Sequence, residues 1–138
     1  MRILVMSTMT MSPGKLKILK AVSTLLEDPS AKVTISRIAD EVHVTEAAIY
    51  RHYRSKEEIF TSIITYMEEN ILNGLEEVTA RNDIRSLENL FVQYMNFFEG
   101  HPGLARLFLG HGATEATGIS ERIKLLNAKL RSHVAQFL

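Results

Sequence analysis

The stretch "VHVTEAAIYRHYRSK", residues 42–56, decides the fold. Residues 45–56 hold Thr-Glu, two alanines, two tyrosines, two arginines, a histidine and a lysine. A solvated helix face seldom spends two Tyr on itself, and a buried helix seldom spends two Arg and a Lys. The segment therefore reads as a short helix with one face for a core and another for a charged partner.

Working outward, Thr45 is a fitting N-cap for the helix "EAAIYRHY", because its hydroxyl can accept from a free first-turn N–H. Thr34 caps an earlier short helix, "ISRIADEV", and the chain breaks between the two at His43. Ala39 is small where two helices must approach, Val44 is placed to plug the angle, and Ile49 packs under both. That spacing suits a helix-turn-helix, two short helices held at a steep angle.

With Ile38, Ala39, Val42, Val44, Ala48 and Ile49 turned inward, the outward face of the second helix is Thr45, Glu46, Ala47, Tyr50, Arg51 and Arg54. In a DNA-reading unit the early residues of that helix reach base edges. Arg51 can fork onto guanine, Glu46 can accept from cytosine, and Ala47 suits a thymine methyl. Thr45 can meet a phosphate or a base. Tyr50, His52, Arg54 and Lys56 suit phosphates, and Lys56 also stands where a new helix offers free N–H groups to an anion. With Thr34 at the head of the preceding helix, the candidate DNA contacts are Thr34, Thr45, Glu46, Ala47, Tyr50, Arg51, His52 and Lys56. Lys15, Lys17 and Lys20 are weaker candidates for the DNA backbone.

The rest of the chain repeats helical periodicity and shows no convincing strand alternation. A first helix is expected from about Lys15 to Glu27, ended by Asp28-Pro29. Ser55-Lys56-Glu57-Glu58 reads as a capping box that opens a long helix carrying Ile59, Phe60, Ile63, Ile64, Met67, Ile71, Leu72, Leu75 and Val78. Asn82-Asp83 caps a fifth helix carrying Ile84, Leu87, Leu90, Phe91, Tyr94, Met95 and Phe98, closed by Gly100. Pro102 fits the first turn of a short sixth helix, "PGLARLFLG". A last helix runs from about Ile119 with Ile123, Leu126, Leu130, Val134 and Phe137 in a stripe. It stops without a closing cap, so it is expected to want a partner: this chain's body, a second copy or a further segment.

The expected architecture is all-α. Residues 1–14 form a flexible start, 15–58 a three-helix DNA-binding unit, and 59–138 a helical regulatory or interaction part. The 138 residues carry no net charge, but residues 1–58 stand at +2 and residues 59–138 at −2, which permits a basic patch in the first half. The absence of Cys excludes disulfides, thiolate metal sites and a Cys nucleophile, and fits a reducing cytoplasm. No apolar run approaches the length of a membrane span. His101, His111 and His133 match no compact ligand spacing, and no catalytic arrangement stands out, so neither metal, cofactor nor enzyme activity is expected.

The segment "TISRIADEVHVTEAAIYRHYRSKEEIF" resembles the DNA-binding part of the TetR family of bacterial regulators. The likeness lies in the short helix with its Ala, the Val-x-Val turn, the Thr, the Ile-Tyr-x-His-aromatic run and the Ser-Lys before a long helix. "HPGLARLFLGHG" is similar to the nucleoid-occlusion branch of that family. The resemblance implies a cytoplasmic, nucleoid-associated repressor that binds palindromic double-stranded DNA as a homodimer. For the branch it implies binding to chromosomal sites and to the division protein FtsZ. It also implies that Tyr66, Met67, Phe91, Tyr94, Met95 and Phe98, with Phe108, could line a cavity for a small apolar ligand. At helical spacing the same residues also read as plain core. Two departures stand out. His43 occupies the turn position where the family usually has Gly, and the family usually continues for two further helices that pair subunits.

Overall fold

The computed structural model describes residues 11–81, 83–111 and 118–136. Seven α-helices and no strand lie among the described residues: α1 (Pro13–Leu26), α2 (Ile35–Val42), α3 (Glu46–Tyr50), α4 (Lys56–Arg81), α5 (Ile84–Gly100), α6 (Pro102–Phe108) and α7 (Ile119–Ala135). The all-α expectation holds.

Five of the seven helices start where a local side chain satisfies a free N–H donor, and α6 and α7 start without a side-chain cap. Ser12 caps α1, accepting from Lys15 N at 3.3 Å, with Pro13 preset for the first turn. The helix therefore begins two residues earlier than the periodicity suggested. Thr34 and Thr45 cap α2 and α3, each accepting from the N–H three residues on at 3.2 Å. At the head of α4, Glu58 N donates to Ser55 Oγ at 3.1 Å, and the Glu58 carboxylate reaches back to Arg54 N at 3.2 Å. Asp83 caps α5 through Arg85 N and Ser86 N; Asn82, paired with it in the sequence reading, lies outside the described residues.

The core runs along α4. Ile59, Ile63, Ile64, Met67, Ile71 and Leu75 are fully buried, and each such side chain is worth about 1.5–3 kcal/mol of transfer from water. α4 runs through residue 58 without a break. α4 carries α5 and α7, and in its second turn Ser62 meets the Tyr53 hydroxyl beyond α3. The last helix finds its partner in this chain. Ile123 and Leu126 are buried, Leu130 packs partly against the core, and Arg122 bonds Glu68 at 2.7 Å. Phe137 lies outside the described residues.

α5 departs from its expected face. Leu87, Leu90, Tyr94 and Phe97 are buried, whereas Ile84, Phe91, Val92 and Met95 are exposed. The helix is apolar on two sides, and a list of its apolar residues merges them. At 100° per residue the outer set lies roughly a third of a turn from the inner one.

α6 lies against α1. A Cβ on Gly103 would stand 1.8 Å from the backbone oxygen of Ser23, so only glycine permits this approach. Arg106 Nε donates to Leu26 O at 2.8 Å, satisfying a carbonyl in the last turn of α1. Part of the "HPGLARLFLGHG" signature is thus committed to the fold: Gly103, Leu104 and Leu107 are buried.

Candidate nucleic-acid interface

The turn between α2 and α3 is built by backbone geometry. His43 is left-handed, with φ 63° and ψ 45°. Val44 N bonds Ala39 O at 3.0 Å, and His43 N bonds Asp40 O at 3.2 Å. These two bonds form a Schellman closure with His where glycine is usual. The turn thus takes the left-handed conformation that glycine usually supplies, with His43 in its place. Val44 does not plug the angle, since it is 42% exposed. The Schellman bonds close the turn without its side chain, and Ile38, Ala39 and Ile49 fill the space between the helices.

α3 is shorter than "EAAIYRHY". Its α-helical part ends at Tyr50, and the chain continues as a turn through His52, with His52 N and Tyr53 N both bonding Ile49 O. Thr45, Glu46, Ala47, Tyr50, Arg51, His52 and Arg54 are exposed, and Thr34 and Lys56 are half-buried. Glu46, Ala47 and Tyr50 share one short helix, which Thr45 caps and Arg51 closes. Thr34 and Lys56 stand at the heads of α2 and α4. The threonine oxygens accept from backbone N–H groups, which leaves their hydroxyl hydrogens to donate outward. The first turn of α4 also carries Glu57 and Glu58, so those carboxylates share the positive helix end with any anion bound there.

The two tyrosines of the segment part company. Tyr50 is half exposed, whereas Tyr53 is buried, with its hydroxyl 2.9 Å from Ser62 Oγ. Burial pushes the Tyr53 phenol up, and the bond to Ser62 works against that shift. The Lys15 ammonium sits 5.1 Å from the centre of the Tyr53 ring, within cation–π range. Tyr53 is thus the post on which α1, α4 and the end of α3 meet.

Gly14 was not singled out from the sequence. A Cβ there would lie 2.5 Å from His52 Cε1, so the His52 ring rests on the start of α1. Only a contact 38 positions apart in sequence reveals this, and no local signal marks it.

Of the seven suggested pocket residues, Tyr66, Met67 and Tyr94 are buried, Phe98 and Phe108 are half-buried, and Phe91 and Met95 face outward. The Tyr94 hydroxyl donates to Ile71 O, and burial raises its pKa and that of Tyr66. Asn70, also buried, donates through Nδ2 to Tyr66 O at 2.8 Å; its Oδ1 has no hydrogen-bond partner among the described residues. No helix among the described residues is long and apolar enough to cross a membrane.

Residues 18–63, which hold most of α1, all of α2 and α3 and the start of α4, match the family model of the bacterial regulatory proteins, tetR family. The chain is 33% identical over 125 residues to the nucleoid occlusion factor SlmA of Shewanella sediminis, covering 88% of this chain and 64% of that protein. It is 31% identical over 124 residues to SlmA of Aliivibrio fischeri, covering 87% and 58%. With SlmA of Pectobacterium carotovorum it shares 31% over 127 residues, covering 88% and 64%. It thus spans 58–64% of the length of these curated relatives. The match to the family model of the bacterial regulatory proteins, tetR family, thus falls on the helix-turn-helix of α2 and α3 and the helices that flank it.

Proposed function

We propose that the chain is a sequence-specific DNA-binding regulator, cytoplasmic and nucleoid-associated rather than enzymatic, that acts on double-stranded DNA as a homodimer. The observation that carries this reading is the exposed run Thr45, Glu46, Ala47, Tyr50 and Arg51, with Thr34, His52 and Lys56 at neighbouring helix ends. α3 enters the major groove, where Arg51 and Glu46 meet base edges and Ala47 meets a methyl group. Tyr50, His52, Lys56 and the two threonines hold phosphates, which fixes register. Lys56→Ala is expected to weaken binding to all sequences and to lower the salt slope by about one unit. Arg51→Ala is expected to change site preference instead. An unchanged affinity and salt slope in Lys56→Ala would remove the phosphate role.

A second reading is favoured by the 31–33% identity to nucleoid occlusion factors across most of the chain. In it the bound sites are chromosomal addresses, and the helices beyond α3 meet the division protein FtsZ. Co-sedimentation of FtsZ polymers with the chain, with and without DNA, tests it. Equal sedimentation of FtsZ whether or not the chain is present counts against it. A small apolar ligand has the least support, because Phe91 and Met95 point away from the core that holds Tyr66, Met67 and Tyr94.

A further inference from the structure

We propose that His43 is a further DNA contact of this chain, its outer ring nitrogen Nε2 donating to a backbone phosphate beside the head of α3. Among the described residues His43 is the one non-glycine residue with positive φ. Glycine adopts this geometry freely, whereas a side chain there costs stability. A histidine kept for the fold would offset that cost through bonds within the chain. His43 makes none: it is exposed, and neither ring nitrogen has a hydrogen-bond or ion-pair partner among the described residues. The turn is closed by the backbone N–H groups of His43 and Val44, which need no side chain. Val44 repeats the pattern. A Schellman turn commonly packs this residue on the preceding helix, yet here it stands exposed. Both side chains of the turn are thus directed away from the body of the unit.

Position and chemistry name the group it meets. His43 precedes Thr45, the cap of α3, by two residues, and two residues span at most about 7 Å. The major groove is about 12 Å wide, so with the head of α3 inside it a group at that distance stands at the sugar-phosphate wall. A neutral imidazole offers one N–H donor and an imidazolium two, and phosphate oxygens accept either. The neighbours cannot take this role. Asp40, Glu41 and Glu46 are exposed carboxylates within three positions of His43, and a carboxylate repels a phosphate. Between Asp40 and Glu46, His43 carries the only side-chain N–H. Glycine in the same turn would leave the phosphate facing carboxylates with no such donor among them.

This contact adds to the interface proposed above and rests on that reading. A phosphate contact carries no sequence information, so a pool of random duplexes serves as the probe. Fluorescence anisotropy of the pool with the whole chain compares wild type, His43→Gly and His43→Asn. Glycine and asparagine both accept the left-handed turn, and neither supplies the outer ring nitrogen. Asparagine controls for the looser backbone that glycine brings. Both variants are expected to melt no lower than wild type, since neither loses a bond within the chain. His43→Gly is expected to bind the pool roughly tenfold or more weakly, the range for a hydrogen bond to a charged group. His43→Asn is expected to share that loss. Wild-type affinity in His43→Gly, a loss that His43→Asn does not share, or a lower melting temperature in both variants would overturn the proposal. A wild type that binds no duplex would sink the DNA reading itself, whereas wild-type binding that the variants retain would sink the His43 contact alone.

Discussion

Arg106 and Leu26 stand 80 residues apart in sequence and are joined by a 2.8 Å bond from the guanidinium Nε to the backbone carbonyl. The bond ties the short helix α6 to the last turn of α1, the first helix of the three-helix unit. Gly103 completes the contact by admitting the Ser23 carbonyl where any side chain would collide with it. The three-helix unit and the helices behind it are therefore held together at α1 as well as through the length of α4.

Gly103→Ala is expected to lower stability by at least 2 kcal/mol, because backbone rather than a mobile side chain must give way. Arg106→Ala is expected to cost about 1.5–3 kcal/mol, the range for a charged donor lost from a carbonyl. Urea unfolding of the two variants measures this. A Gly103→Ala protein as stable as wild type would show that the helices are not in this contact.

Gly14→Ala is expected to behave differently, because the obstructing group is the His52 ring, which can move. Stability should change little. Affinity for DNA should fall along with that of His52→Ala, because in both variants the ring no longer sits beside the start of α1. Fluorescence anisotropy on one duplex compares them, and full affinity in both would mean that His52 does not hold a phosphate.

Alkaline pH provides a test of the core. The phenols of Tyr53, Tyr66 and Tyr94 are all raised above the ordinary value of 10.0 by burial. The folded state therefore holds their protons more tightly than the unfolded chain. Their contribution is fully present below pH 10 and is lost as pH climbs through the raised values. Melting temperature should accordingly fall steeply above pH 10. Tyr53→Phe should reduce part of that fall, and a flat profile would place these phenols in water.

The site was legible where its signals are local. Thr34 and Thr45 serve as caps because a hydroxyl three residues ahead of an N–H needs nothing distant. His43 could be flagged from its place in the turn alone. What was not legible depends on contacts across the fold. Tyr50 and Tyr53 look alike in sequence, and only the arrival of Ser62 and Lys15 puts one of them in the core. The inner and outer stripes of α5 could not be separated by periodicity because both are apolar. Gly14 and Gly103 have no sequence cue, since each matters for what another helix brings up to it.

Selection of bound duplexes from a random pool by the whole chain tests sequence recognition by α3. An enriched palindrome is expected, with half-sites one helical turn or a multiple apart and a preference altered by Arg51→Ala. A folded protein that enriches no sequence would rule out recognition by α3.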